Sequence, residues 1–414
     1  MDKIFNGAKA LEYAKAISYP RLVGTAGEKK ARAFLQAGLE QMGYAVESRP
    51  FTFWPALPLT IVKSVVAVCL ASLGILFILE PSWPRLAGYG GLAVGALAMW
   101  TAWMYSVFSA HPEIDYSMRM PLISALAPGL SRPWESANIL ARKKDAKAGS
   151  RTRVVFLAHT DTKSQNISIV MRIISVSLMY LGLFGIVIRF ALDIFFPLLP
   201  LTDHWQAVAA ILYLMTLAGG IGVISLRVEN ESPGSTDNAG SVGVLMHLAE
   251  VLASHPIADG IDVRFVLTGA EELGLAGGYA YAHSEAASLW ADALHINLDG
   301  VGGGGKLMAS METGLLTHYR KRYAKLMDLV TKAAKAAGME LKTLPIVVGG
   351  AADHFPLVQN GLAAVTLGQY SSKSWAVHTP ADGPDLLNAE SMESIGRILL
   401  EALKIAGQKA DAGH

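Results

Sequence analysis

The chain of 414 residues has little charge for its length and a single cysteine. Charged residues make up 17% of it, against roughly 25% in an average soluble domain. Since 35 basic residues balance 34 acidic ones, there is no basic excess with which to bind nucleic-acid phosphates. Cys69 cannot form an intramolecular disulfide, so the fold does not require an oxidising compartment. The hydrophobic content of 52% excludes an intrinsically disordered chain.

Long stretches of the chain are almost uncharged, and each is long enough for a bilayer-spanning helix, which needs roughly 20 mostly apolar residues. They cover the ranges 55–79, 86–110, 172–201 and 205–226. Because buried core helices rarely lack a charged face over such a length, we interpret the stretches as two transmembrane hairpins rather than as core. Lys63 and Arg189 interrupt two of the stretches, and we expect both side chains to reach toward a membrane interface.

The polar remainder alternates strand-like and helix-like segments. Short apolar runs typical of strands cover 44–51, 153–157, 263–268, 293–298 and 363–367, and helical patterns cover 28–43, 238–253, 321–337 and 389–406. This alternation predicts an α/β fold with a mostly parallel central sheet. The glycine run Gly302–Gly305 is interpreted as a loop.

Polar segments rich in Asp, Glu and His follow the predicted strands or lie in loops beside them, and in α/β sheets ligands bind at the carboxyl ends of the strands. They are Ala158-His159-Thr160-Asp161, Ser235-Thr236-Asp237-Asn238, Gly269-Ala270-Glu271-Glu272, Asn297-Leu298-Asp299 and Val377-His378-Thr379-Pro380. Each alone has a simpler interpretation as a helix cap, a helix N-terminus or a turn. Together, two histidines and three carboxylates provide the nitrogen and oxygen ligands that two zinc-like ions need.

These segments resemble the dizinc aminopeptidases of metallopeptidase family twenty-eight, which includes aminopeptidase Y and the glutamate carboxypeptidases. The resemblance extends to Pro20–Thr25, to Ala137–Ala141, and to Ala352-Asp353-His354 followed by Gly361–Val365. It covers nearly all of the polar residues, and the apolar stretches fall outside it. It implies a zinc-exopeptidase-like three-layer sandwich that two transmembrane hairpins interrupt.

The resemblance also implies a ligand for each metal position. His159 and Asp299 would hold one divalent ion, Glu272 and His378 the other, and Asp237 would bridge the two. We expect both ions to be Zn²⁺.

Further roles follow from the same resemblance. Glu271 would be the general base, and Asp161 would orient the imidazole of His159. The peptide bond between Asp237 and Asn238 is expected to be cis. Asp353 and the following His354 either line the pocket or cap a helix.

The resemblance and the apolar stretches together define a domain organisation. The peptidase domain would comprise 1–54, 111–167 with the first metal ligand, and 227–414, with hairpins at 55–110 and 168–226. Because the hairpin at 168–226 separates His159 from Asp237, the chain must cross an even number of times to return to one site. The implied function is a membrane-anchored aminopeptidase that hydrolyses amide bonds of short peptides.

Several other functions use the same residues. A carboxypeptidase or a glutaminyl-cyclase-like enzyme could share the scaffold and the metal ligands. A non-catalytic membrane receptor is disfavoured because every ligand position is filled, and a transporter because the helices have few internal charges. The sequence leaves the preferred substrate residue, the native metal and the oligomeric state open.

The distribution of basic residues predicts which side of the membrane the peptidase domain occupies. Basic residues stay on the cytoplasmic side, so we expect the domain to be cytoplasmic. An N-terminus without a basic region and a following apolar run agrees with this expectation. The domain-side flanks contain Arg49, Arg119, Arg132, Arg142, Lys143, Lys144, Lys163, Arg172 and Arg227, and the connecting loops contain Glu80, Arg85, Asp193 and Asp203.

Overall fold

The structure is a computed structural model that describes residues 4–54, 56–80, 82–110, 132–144, 152–196, 204–255, 261–311, 324–343 and 351–411. The sequence-based expectations for Arg119, Asp203 and the start of the helix at 321 lie outside these residues. The chain divides into two compact units. One, the α/β unit, comprises Met1–Pro55, Ser109–Ser164 and Glu229–His414, and the other, the helical unit, comprises Ala56–Phe108 and Gln165–Val228.

Helices and strands are interspersed along the chain. In chain order they are α1 (Gly7–Ile17), α2 (Ala26–Gln41), β1 (Tyr44–Phe53), α3 (Ala56–Leu79), α4 (Pro84–Ala110), β2 (Trp134–Lys143), β3 (Thr152–His159), β4 (Ser164–Gln165), α5 (Ile169–Phe195), α6 (His204–Ser225), β5 (Val228–Glu229), α7 (Gly240–Ser254), β6 (Ile261–Thr268), α8 (Ala276–Ala282), α9 (Glu285–Ser288), β7 (Leu294–Leu298), β8 (Lys306–Ser310), α10 (Ala324–Ala336), β9 (Leu341–Thr343), α11 (His354–Gln359), β10 (Ala363–Tyr370) and α12 (Ala389–Asp411).

The α/β unit is built on one large sheet in the order β1-β2-β6-β3-β7-β10-β8-β9. Its four central strands, β6, β3, β7 and β10, run parallel, whereas β1 with β2, β2 with β6 and β10 with β8 are antiparallel. The mostly parallel central sheet predicted from the sequence is therefore confirmed.

Burial explains why the central strands read as apolar runs. In β3, the residues Val154–Ala158 are at most 1% exposed, since neighbouring strands and helices cover both faces of the strand. Helices α7 and α12 contact β3, while α11 contacts β10 and β7. The parallel register aligns the carboxyl ends of the strands, with His159 of β3 beside Thr268 of β6 and Leu298 of β7 beside Leu367 of β10.

The helical unit contains the apolar helices. Among the described residues, three helical segments are long and apolar enough to cross a membrane, namely Val62–Leu79, Ile169–Phe195 and Gln206–Ser225. Helix α4 is also long, with 27 residues, but it is not one of these three. Large apolar side chains of this unit face outward, among them Ile78, Phe184 and Leu214, which are 77%, 63% and 60% exposed.

Close helix packing holds α5 against α6. A Cβ atom added to Gly182 would lie 2.6 Å from the carbonyl oxygen of Leu212, and one added to Gly219 would lie 2.3 Å from that of Ser175. Glycine at these positions therefore allows the two helix backbones to approach each other.

Two cations of the helical unit, Arg189 and Lys63, have polar partners within the unit. Arg189 is buried, forms an ion pair with Glu80 and has a second carboxylate, Asp193, 3.7 Å away. Lys63 donates a hydrogen bond to the main-chain oxygen of Leu226. We expected both cations to reach toward a membrane interface. In the structure, the polar heads of both side chains bond to groups within the helical unit.

Candidate metal centre

The carboxyl edge of the central sheet gathers the polar segments that the sequence singled out. His159 is the last residue of β3, and Asp299 directly follows β7. Glu271 and Glu272 come shortly after β6, in a turn that begins with Ala270 in the left-handed conformation at φ 56°. The neighbouring strands end level with one another, so these side chains meet at one place.

A first group of metal-ligand atoms contains His159, Asp237 and Asp299. The Nε2 atom of His159 lies 3.0 Å from Oδ1 of Asp237 and 3.8 Å from Oδ1 of Asp299. His159 is fully buried, and Asp299 is partly exposed.

A second group contains Asp237, Glu272 and His378. The Nε2 atom of His378 lies 3.2 Å from Oδ2 of Asp237 and 3.0 Å from Oε2 of Glu272. His378 itself has a left-handed backbone at φ 63°, which is uncommon outside glycine.

Asp237 belongs to both groups and directs a different oxygen to each. In both groups, the potential ligand atoms lie within 4.8 Å of one another. The bond between Asp237 and Asn238 is cis, which confirms the expectation from the sequence. Asp237 and Asn238 have extended φ angles of −124° and −141°, so α7 begins at Gly240, later than the predicted start at 238.

The donor set fits divalent metal ions. Carboxylates gathered in a buried site repel one another unless cations balance them. Among the described residues, Oε1 of Glu272 and Nδ1 of His378 are buried without a hydrogen-bond partner. Imidazole nitrogens and carboxylate oxygens are the ligands that zinc prefers in hydrolytic sites. The two groups, which share one carboxylate, could therefore hold two zinc ions.

Glu271 lies beside the two groups rather than within either one. It is 8% exposed, and its Oε2 atom is 3.9 Å from Nε2 of His159. Burial raises the pKa of Glu271 well above its usual range, while His159 acts in the opposite direction and the carboxylates of Asp299 and Glu272 raise the pKa further.

Asp161 holds the main chain of the two glutamates. Its Oδ1 accepts a hydrogen bond from the N–H of Glu271 and its Oδ2 one from the N–H of Glu272, both at 3.1 Å. The carboxylate is also 3.6 Å from Nδ1 of His159, whereas the main-chain oxygen of Asp161 is closer, at 3.2 Å. Asp161 thus fixes the Glu271-Glu272 turn, a role that the sequence did not predict.

Lys163 forms an ion pair with one of the potential metal ligands. Its Nζ atom lies 2.8 Å from Oε2 of Glu272 and donates a second bond to the main-chain oxygen of the same residue at 3.0 Å. Burial opposes the charge of Glu272, but His378 and Lys163 lower its pKa to about 2. The sequence placed Lys163 only among the basic flanking residues.

Arg21 connects the segments that contain His159 and Asp237. Its guanidinium group is fully buried and donates to the main-chain oxygens of Thr160 at 2.7 Å and Gly234 at 2.9 Å. It also bonds the oxygens of Ile17, Tyr19 and Pro233. The resemblance included the segment around Arg21 but gave this side chain no role.

Asp353 sits at the start of α11, yet its side chain points elsewhere. Its Oδ2 accepts a short hydrogen bond from Thr268, and its Oδ1 has no partner among the described residues. Burial raises the pKa of Asp353 to about 7. The neighbouring His354 bonds Thr366 through Nδ1 at 2.6 Å. The Asp353 side chain is therefore a buried polar group, and its partner is not the helix end.

The comparison with protein families concerns the second half of the chain. Residues 202–403 match the model of peptidase family M28. The chain contains a peptidase family M28 domain. The matched range includes Asp237, Glu271, Glu272, Asp299 and His378, while His159 precedes it. The family resemblance seen in the sequence is confirmed.

A curated relative matches part of the chain. Aminopeptidase YwaD of Bacillus subtilis (strain 168) is 28% identical over 183 residues, which cover 43% of this chain and 39% of that protein. The chain thus spans less than half of this relative's length.

Solved structures share the fold. An aminopeptidase from Aneurinibacillus sp. strain AM-1 has a TM-score of 0.55 at 16% identity, covering 98% of this chain and 95% of the other. BSAP, a zinc aminopeptidase from Bacillus subtilis, has 0.54 at 15%, covering 97% and 95%. Porphyromonas gingivalis glutaminyl cyclase has 0.55 at 16%, covering 97% and 99%.

Proposed function

We propose that this M28 protein is a membrane-anchored dizinc aminopeptidase that hydrolyses short peptides. The observation that carries the proposal is the convergence of His159, Asp237, Glu272, Asp299 and His378 in two groups that share Asp237. An aminopeptidase among its relatives and a zinc aminopeptidase among the structures of the same fold support it.

The general base in this proposal is Glu271. When bound, the metal ions would supply Lewis acidity to the substrate carbonyl and lower the pKa of a water molecule. The Glu271 carboxylate, buried beside His159, takes a proton from the attacking water and returns it to the departing amine. A raised pKa suits a group that must hold the proton between these two steps.

The surrounding residues position the base and the ligands. Asp161 fixes the main chain of Glu271 and Glu272 through their N–H groups, so the base and a metal ligand move as one rigid turn. Since small displacements of catalytic groups reduce reaction rates strongly, this turn supports catalysis by holding Glu271 in position.

The base is tested with Glu271→Gln. The variant keeps the size of the side chain but not its basicity, so turnover falls by about 10²–10⁴-fold while metal content stays unchanged. Glu12→Gln serves as a control, because Glu12 is exposed and forms an ion pair with Lys9. Near-normal turnover of Glu271→Gln would contradict the assignment.

Another amide chemistry is the second candidate, because glutaminyl cyclases share the fold. The metal ligands do not distinguish these reactions, whereas the accepted substrate does. A panel of free-amine peptides, N-blocked peptides and peptides with N-terminal glutamine separates them. Cleavage of free-amine peptides alone selects the aminopeptidase, and release of a cyclised glutamine selects the cyclase. Zinc-loaded protein without turnover on any of these favours a receptor.

The membrane anchor rests on the helical unit. Its outward-facing apolar side chains, including Ile78, Phe184 and Leu214, would cost free energy in water, and a lipid bilayer covers such a surface. We propose that α3, α5 and α6 cross the membrane together with α4, as two hairpins. Resistance of membrane-bound protein to alkaline carbonate extraction tests the anchor, and release into the supernatant would contradict it.

We further propose that the α/β unit is cytoplasmic, because its flanks carry the basic residues. Protease treatment of inverted and right-side-out vesicles tests the placement. Digestion of this unit in inverted vesicles alone supports it, and digestion in right-side-out vesicles alone places the unit on the far side.

A further inference from the structure

The two groups of potential metal ligands are alike in composition but differ in their charged neighbours. Each contains one histidine, one carboxylate of its own and the shared Asp237. Beside the first group lies an additional carboxylate, with Oε2 of Glu271 3.9 Å from Nε2 of His159. Beside the second group lies the ammonium of Lys163.

The ammonium contacts an oxygen that faces the second position. Oε2 of Glu272 is 3.0 Å from Nε2 of His378 and 2.8 Å from Nζ of Lys163. The Lys163 side chain is 15% exposed, so solvent screens this cation only partly. An ammonium at this distance withdraws negative charge from the donor atom and repels a second cation nearby.

We propose that Lys163 makes the two metal positions unequal, so that the Glu272–His378 position binds its ion more weakly than the His159–Asp299 position. The inference rests on the dimetal centre of the proposed function and adds an order of binding to it. Metal ions enter in two steps, and the ion beside Lys163 is the one that exchanges.

An orienting hydrogen bond can instead strengthen a metal ligand, so the two effects of Lys163 must be compared. Loss of such a bond typically costs 10–100-fold in metal affinity. Here Glu272 keeps other contacts, because its N–H donates to Asp161 at 3.1 Å and its Oε2 faces His378. Because these contacts orient Glu272 without Lys163, replacement of the lysine mainly removes its charge.

The test is a calorimetric titration of the metal-free protein with Zn²⁺ alone, with a chelator as competitor. The wild-type protein is expected to bind two ions in separate steps, and His378→Ala removes only the weaker step. In Lys163→Met the weaker step tightens by about tenfold, since a unit charge near a cation has an effect of at least this size. Lys163→Arg keeps the charge and leaves the two steps as in the wild type.

A matched control removes a positive charge elsewhere. Lys332 forms a pair of the same length, 2.8 Å, with Asp328, and both side chains are exposed. Lys332→Met therefore changes the net charge equally and leaves both steps unchanged. Circular dichroism of each variant verifies folding, and Lys163→Gln replaces Lys163→Met if the latter is unfolded.

The possible failures are distinct. If wild-type protein binds fewer than two ions per chain, the dimetal centre of the proposed function fails. If it binds two ions but Lys163→Met leaves the second step unchanged or weakens it, the role of Lys163 is wrong and the dimetal centre stands.

Discussion

The carboxylate of Asp382 accepts a hydrogen bond from the main-chain N–H of Asp237 at 3.2 Å. It also accepts two from Thr236, from the N–H at 2.8 Å and from the hydroxyl at 2.7 Å. Asp382 is fully buried and follows His378 by one short turn. One side chain thus connects the segment of the second histidine to the carboxylate that belongs to both metal groups.

Replacement of this connection is expected to weaken metal binding. In Asp382→Ala, three hydrogen bonds to the Asp237 segment are lost, and we expect metal affinity to fall about 10–100-fold, as for other partners of metal ligands. Competition with a chromophoric chelator measures the change. Asp385→Ala is the control, since Asp385 lies on the same segment; equal effects of the two substitutions would contradict a specific role.

Replacement of Arg21 is expected to reduce both the stability of the fold and its metal affinity. Arg21→Met removes a donor from five main-chain oxygens, of which those of Ile17 and Gly234 keep a main-chain donor. Each buried oxygen left without a donor costs about 1–3 kcal/mol. We expect thermal melting in detergent to occur at a markedly lower temperature, and chelators to remove zinc more easily. Arg49→Lys, at a surface pair with Glu47, should change neither property. Unchanged melting of Arg21→Met would contradict the role of the guanidinium.

The buried His295 is expected to make the stability of the fold sensitive to acid. Burial lowers the pKa of His295 to about 4, so the unfolded chain, with a histidine pKa of about 6.5, takes up the proton first. Stability therefore falls as the pH decreases from about 6.5 to about 4, by up to about 3 kcal/mol.

Thermal melting of metal-free protein between these pH values measures the effect. His295→Gln should make the melting temperature less dependent on pH in this range, although the loss of the bonds to Tyr281 and Ala363 lowers it at neutral pH. His283→Gln, at an exposed position, should leave the slope as in the wild type. An unchanged slope in His295→Gln would exclude this histidine as its origin.

The α5–α6 contact predicts a strict requirement for small residues. Gly219→Val places side-chain atoms where Ser175 and Met179 already lie. Even a Cβ atom would be 2.3 Å from the main-chain oxygen of Ser175 and 2.4 Å from the main-chain nitrogen of Met179. We expect little folded protein in membranes, measured as monodisperse protein after detergent extraction. Leu214→Val, on the exposed face of the same helix, should extract normally. Normal extraction of Gly219→Val would contradict this packing.

The parts of the fold that follow from local sequence were predictable. The apolar run at 153–157 and the polar residues after it predicted a buried strand that ends near His159, because an apolar run is a local property of the sequence. The late start of α7 was not predictable from the hydrophobic period, which extends through Asn238, whereas the backbone angles there are not helical. Strand β10 extends beyond the predicted Leu367 to Tyr370, where it pairs with β8.

The hydrogen-bond and ion-pair partners of the site residues could not be predicted from the sequence. Lys163 and Glu272 are far apart in the chain, and nothing in either segment indicates their ion pair. The same holds for Arg21. Its five acceptors are main-chain oxygens, which every residue has, so the sequence does not indicate these hydrogen bonds. The sequence was compatible with Asp353 as a helix cap or as a pocket residue. The structure shows that its side chain instead accepts a hydrogen bond from Thr268.

The most direct measurement is anomalous X-ray diffraction at the zinc edge from crystals of the zinc-loaded protein. We predict two zinc peaks, one bound by His159 and Asp299 and the other by Glu272 and His378, with Asp237 bound to both at about 2.0–2.2 Å. A single peak, or peaks whose ligands exclude Asp237, would contradict the dimetal centre.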